Sequence, residues 1–214
     1  MRKALAVVPV SAAAAALLLA GCSSSGKQAQ TLTPTAPSSS SSAGSAGGIS
    51  SELLAVTQLP TGWSSTSPSS SSGSATASCA ALNNRPWQTL PERAEADFQQ
   101  SANGPFLAEK LDAGSAAEVS QAWTAFGTAT SECRSFTGSD GTQTTLSALS
   151  FPKYGDATYA FALTATADGE SVAGDVVVVR KDNTMIQIIT AGLGDGVPIS
   201  TVEQATTAAV AKVQ

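Results

Sequence analysis

The chain has 214 residues, 11 basic against 16 acidic, a net charge of −5 and no histidine. The missing imidazole excludes Ser-His-Asp and Cys-His nucleophile systems, imidazole acid–base catalysis and His-bearing zinc sites. The acidic balance excludes a nucleic-acid binder, which needs a basic footprint, and electrostatic adhesion to anionic lipid.

The first element is a leader. Arg2 and Lys3 precede an apolar run from Ala4 to Ala20, which closes on Leu19-Ala20-Gly21-Cys22. Cations, an apolar middle and small residues before a cut make a secretory signal. The run is nearly long enough to span a bilayer, but it carries Pro9 and no stop-transfer cations follow it. Leu-Ala-Gly-Cys resembles the bacterial lipobox. That resemblance implies a leader over 1–21, a cut before Cys22 and diacylglycerol on its sulfur. Two or more acyl chains hold a protein at a membrane stably, where one does not. The expected placement is therefore the outer face of the cytoplasmic membrane, lipid-anchored, in the cell envelope.

Residues 22–48 are Ser, Gly, Ala, Thr and Pro with almost nothing to bury, and read as a flexible tether. A coil of about 26 residues reaches roughly 25–30 Å. Residues 49–214 are expected to form one domain. With Cys22 lipidated, Cys79 and Cys133 remain in an oxidising compartment, and a structural disulfide is expected. Free thiols or a redox pair are the alternative, but a catalytic redox pair usually sits close together as C-x-x-C.

Within the domain, Ser51 to Val56 reads as a short helical turn stopped by Leu59-Pro60, with Thr61-Gly62-Trp63 as a turn. Ser64 to Ser78 offers no apolar anchor and reads as a surface loop. Ala94 to Phe98 alternates apolar with acidic residues, as a half-buried strand does. Asn103-Gly104-Pro105 turns the chain into a return strand, Phe106 to Leu111. Ser115 and Glu118 form a capping box, and Val119, Ala122, Trp123, Phe126, Thr130 and Cys133 follow on one helical face. Four strands come next: Thr142 to Phe151, Thr158 to Thr166, Val176 to Val179 and Met185 to Thr190. The unbroken Val run requires cover on both faces, hence a central strand, and Lys181-Asp182-Asn183 is the hairpin turn to its partner. Gly192 to Gly196 is a loop. A last helix is expected from Ser200, with Glu203 completing a second capping box and Val202, Ala205, Ala209, Val210 and Val213 facing inward. The economical fold class is α+β: an antiparallel sheet of about six strands with helices packed on one face.

That order, with Leu59-Pro60-Thr61-Gly62-Trp63, Trp123 ahead of Cys133, Lys153-Tyr154-Gly155-Asp156 and the hairpin from Asp175 to Thr184, resembles the PknH-like extracellular sensor domains of actinobacterial kinases and lipoproteins. The likeness covers roughly residues 50–214. It implies an extracytoplasmic, non-catalytic module that senses or binds a ligand at the cell wall. The sequence is expected to depart from the kinase in two ways: it shows no kinase domain and no transmembrane helix linking outside to inside, and it has one available cysteine pair where the kinase's domain has two disulfides, so a tethered binder is expected in preference to a direct signalling receptor.

Among candidate site residues, Glu92, Glu95 and Asp97 could serve glycoside hydrolysis. Glu95 and Asp97 stand two apart on a strand, however, so both are expected to face solvent. Gly192-Leu193-Gly194-Asp195-Gly196 lacks the lysine of a P-loop and the ligand spacing of an EF-hand, and reads as a turn. Trp123 belongs to the helix stripe. Trp63 and Trp87 are the ligand-binding candidates, expected to line an open sheet face together. No cofactor or metal is expected. The expected partners are the membrane, through the anchor, and a cell-wall ligand or envelope protein. The alternatives are a carboxylate-based hydrolase of wall polymers and a passive envelope lipoprotein or antigen.

Overall fold

The computed structural model describes residues 48–67, 77–83, 85–167 and 169–214. The leader, Cys22, nearly all of the tether and the middle of the Ser-rich stretch lie outside the described residues. The strands are β1 (Ser64–Thr66), β2 (Glu92–Gln99), β3 (Phe106–Ala113), β4 (Ser135–Thr137), β5 (Gln143–Ala148), β6 (Ala157–Ala167), β7 (Glu170–Lys181) and β8 (Thr184–Leu193). The helices are α1 (Ala116–Glu132) and α2 (Ile199–Lys212). All neighbouring strands are antiparallel. They form one eight-stranded sheet in the order β1-β2-β3-β8-β7-β6-β5-β4. After β3 the chain crosses to the far edge through α1, then returns strand by strand until β8 closes against β3.

The architecture is α+β, with eight strands where about six were expected. The additional two, β1 and β4, have three residues each. They are mostly polar strands at the sheet's two edges. Both are too short for an alternation to be read from sequence; backbone pairing holds both, and Phe136 also anchors β4 in a buried core. Ser64–Thr66, expected in a loop, is thus an edge strand paired to Asp97–Gln99. The expected helical turn over 51–56 is two 3-10 turns, Ile49–Glu52 and Val56–Gln58.

The expectation of helices on one face is corrected too. Each strand of the sheet's centre feeds two separate cores. Val176 and Val178 join α1's Trp123 and Phe126 on one side. Val177 and Val179 join α2's Val202, Ala205 and Ala209 on the other. Val177, Val178 and Val179 are fully buried, so the unbroken apolar run is the signature of a strand sandwiched between helices. The N-terminal segment 49–63 lies with α2, and the turns Ala80–Leu82 and Pro86–Thr89 lie against α1.

α1 starts as its sequence dictates. Ser115 Oγ accepts from the Glu118 N–H at 3.3 Å, and Glu118 accepts from the Ser115 N–H at 2.8 Å. The Ser115 hydroxyl, which also donates to the Glu118 carboxylate at 2.7 Å, and then the Ser115 N–H hold the exposed Glu118 carboxyl below its ordinary range. α2 does not form the expected second box. It starts one residue earlier, at Ile199, with Pro198 at the cap position and no side-chain capping bond. With the cap position taken by Pro198, Ser200 falls inside the first turn.

Two glycines are required by close approach. A Cβ on Gly174 of β7 would stand 2.0 Å from the Thr190 carbonyl of β8. A Cβ on Gly127, inside α1 where glycine costs about 1 kcal/mol relative to alanine, would stand 2.4 Å from the Tyr159 hydroxyl. Gly127 is what lets α1 sit down on β6.

Candidate functional site

Most of the contacts between aromatic rings lie on the α1 face. Trp87 meets Phe126 edge-on at 5.2 Å between centroids, and Trp123 stacks on Tyr159 at 4.5 Å. The Arg180 guanidinium lies over the Trp123 ring at 5.7 Å. Cys79 and Cys133 stand at disulfide distance, with Cα atoms 5.8 Å apart. Cys133 caps the C-terminal end of α1, so the bond ties that end to the stretch carrying Leu82 and Trp87.

Between α1, this stretch and the sheet is a cavity of about 20 Å³, the space of one water molecule. Leu82, Trp87, Phe126, Phe136 and Phe161 give it an apolar wall, with Leu146 and Val176 behind them. Its polar lining comes from Thr130 and Gln187. Thr130 directs its hydroxyl to α1's own Phe126 carbonyl at 2.9 Å. Gln187 is different: its Nε2 donates to Asp112 Oδ2 at 2.6 Å. Asp112 Oδ1 in turn accepts from Arg93 Nε at 2.6 Å. Asp112 is fully buried, and burial pushes its carboxyl above the usual range against the pull of Arg93. The result is a fixed row, Arg93–Asp112–Gln187, running across β2, β3 and β8 from the partly exposed guanidinium to the cavity wall. Beside it the buried Lys110 pairs with Glu95 at 3.0 Å.

The opposite face buries a second carboxyl. Glu109 of β3 is fully buried between Leu107 and Leu111, which share its side of the sheet. Its Oε2 accepts the Leu54 N–H at 2.5 Å, and its Oε1 has no hydrogen-bond partner among the described residues. Burial pushes this carboxyl up to about 7, against the Leu54 hydrogen bond and the charge of Lys212.

The structure separates most of the residues that the sequence grouped. Trp63 and Trp87 do not share a face. Trp63 is buried in the α2-side core, where its Nε1 lacks a partner among the described residues, and Trp87 is buried on the α1 side. Both faces of the sheet are covered, so no open face exists at its centre for the pair to line. Trp87 borders the cavity beneath α1. Glu95 and Asp97 do share a side, but Asp97 is only 9% exposed, so it does not face solvent. Glu92 lies exposed at the start of β2. In the Gly192–Gly196 stretch, Leu193 ends β8 as an exposed side chain. No group of three or more metal-ligating side chains occurs among the described residues, and none of their helices is long and apolar enough to cross a membrane.

Glu109, Asp112 and Gln187 were missed from sequence. A signal for the first was present: in Phe106–Ala113, Glu109 falls on the same phase as Leu107 and Leu111, a charge in the apolar register. Asp112 and Gln187 gave no comparable sign, because their meeting depends on β8 returning beside β3. Compared with known protein families the chain matches none, and it matches no curated protein.

Proposed function

We propose that this chain is a lipid-anchored, extracytoplasmic binding or sensor-like module of the cell envelope, without catalysis, whose ligand seat is the cavity beneath α1. The observation that carries the reading is an aromatic-walled cavity with one amide fixed in its wall. Asp112 Oδ2 takes one Gln187 amide N–H, and Arg93 holds the other Asp112 oxygen. The Gln187 carbonyl oxygen and the second amide N–H are therefore left to meet a ligand. Such a seat suits the tip of a slender apolar group bearing a neutral hydroxyl, which can both donate and accept. A sugar ring or nucleotide is far too large for about 20 Å³.

Two further observations support the reading. Glu109 and Asp112, the carboxyls withdrawn from water, project to opposite sides of β3 and each holds its own partners. They do not flank one substrate as a hydrolase pair does. Leu19-Ala20-Gly21-Cys22 and the Cys79–Cys133 pair both suit an exported, tethered protein.

The test is chemical-shift mapping of the labelled protein with n-alcohols of increasing chain length, against n-alkyl carboxylates at neutral pH. Shifts confined to Leu82, Trp87, Phe126 and Gln187, stronger for the alcohols, are expected. Shifts elsewhere, or equal response to both series, overturn the seat. Hydrolysis of a wall polymer by the purified protein overturns the non-catalytic reading.

A further inference from the structure

The second buried carboxyl grips the chain at a particular place. Leu53 and Leu54 follow the first 3-10 turn of the domain, where it joins the residues before 48. Two separate elements hold this dipeptide. Glu109 of β3 accepts the Leu54 N–H, and Lys212 at the end of α2 donates to the Leu53 carbonyl. Leu54 itself is buried in the α2-side core. The grip is incomplete, since the other Glu109 oxygen has no hydrogen-bond partner among the described residues. A carboxylate closed off from water with one backbone donor is poorly compensated when ionised.

We propose that Leu53 and Leu54 form a releasable clasp, closed by Glu109 and Lys212, that loosens as the pH rises from acid toward neutral. Opening it frees the segment 48–58 from the domain and lengthens the linker to whatever precedes it.

The groups around Glu109 leave little else to drive this. β2 contributes Ala94, Ala96 and Phe98 to this side of the sheet, and β8 contributes Ile186 and Ile188. The clasped segment has one ionisable side chain, Glu52. α2 carries Glu203 and Lys212. Lys181 of β7 is engaged with the Val210 and Val213 carbonyls at the α2 terminus. Of these charges, it is Lys212 that acts on Glu109. The direction follows from linkage. The closed clasp holds the Glu109 proton up to about 7, and opening to water moves it down toward the ordinary 4.5 of a solvated carboxyl. Closure is thus fully favoured below the ordinary value, and is lost progressively as the pH climbs to the raised one.

Amide hydrogen exchange of the full chain, corrected for intrinsic rates, reads the clasp at Leu54. The opening constant is expected to rise about tenfold per pH unit between roughly pH 5 and 7 and then level off. Glu109→Gln keeps an acceptor for Leu54 and removes the charge, so its opening constant is expected to stay flat. Lys212→Met removes the opposing charge, and the rise is expected to continue above pH 7. A wild-type opening constant that does not change across this range overturns the proposal without any variant. Equal slopes in wild type and Glu109→Gln overturn it as well.

Discussion

The two faces of the sheet use the same strands and solve different problems. On the α1 side, large aromatic rings meet at fixed angles, a covalent pair ties the helix end, and the buried charge is compensated by an arginine and an amide. On the α2 side, the core is mainly Val, Ile, Leu and Ala, and the buried charge is met by one backbone N–H and a nearby lysine. Rings and a cross-link hold a cavity open at defined shape, whereas small aliphatic side chains close around a carboxyl. The difference teaches that burial alone does not decide what an ionisable group does. Asp112 is built into a rigid row, and Glu109 is left as the less compensated one.

The largest effect that would blur this contrast is loss of the cross-link. Replacing Cys79 and Cys133 together by serine is expected to cost about 4 kcal/mol, from a sequence separation of 54 residues. Denaturant unfolding measures it, and an unchanged midpoint would show that the aromatic packing holds α1 unaided. The next effect sharpens the contrast on the other side. Relative to Glu109→Gln, the wild-type protein is expected to be most stable below pH 4.5 and to lose about 3 kcal/mol as the pH rises to about 7. Unfolding free energies of both proteins across that range test the sign, since an opposite trend would mean Glu109 is better compensated when ionised than when neutral. The smallest effect compares the two helix starts. Ser115→Ala removes a formed cap and is expected to cost about 1 kcal/mol. Ser200→Ala touches no cap, and its effect is expected within about 0.5 kcal/mol. Similar losses for the two would show that Ser200 has a role beyond capping.

Local signals were read well and spatial ones were not. Ser115, Glu118 and the stripe from Val119 to Thr130 specify α1 with no help from the rest of the chain. Val176 to Val179 announced a doubly covered strand, and that same run argued against placing every helix on one side of the sheet. The stripe of an amphipathic helix says that it has a buried face but not which side of a sheet it meets. The three-residue strands β1 and β4 carry too little pattern to be seen. Trp63 and Trp87 are near neighbours in the chain, yet the sheet passes between them. The site partners Gln187 and Asp112 lie 75 residues apart, a separation that no local motif spans.

The position of β8 has a consequence for the growing chain. Among the described strands it comes last in the chain, yet it sits between β3 and β7 in the middle of the sheet. Until Thr184–Leu193 is available, β1–β3 and β4–β7 have no strand pairing between them, and each has a raw inner edge. Long-range closure of this kind is slow and leaves apolar edges open to misassociation. A ribosome paused before Thr184 would therefore hold a product with its two halves unjoined, and the ten residues of β8 act as the keystone.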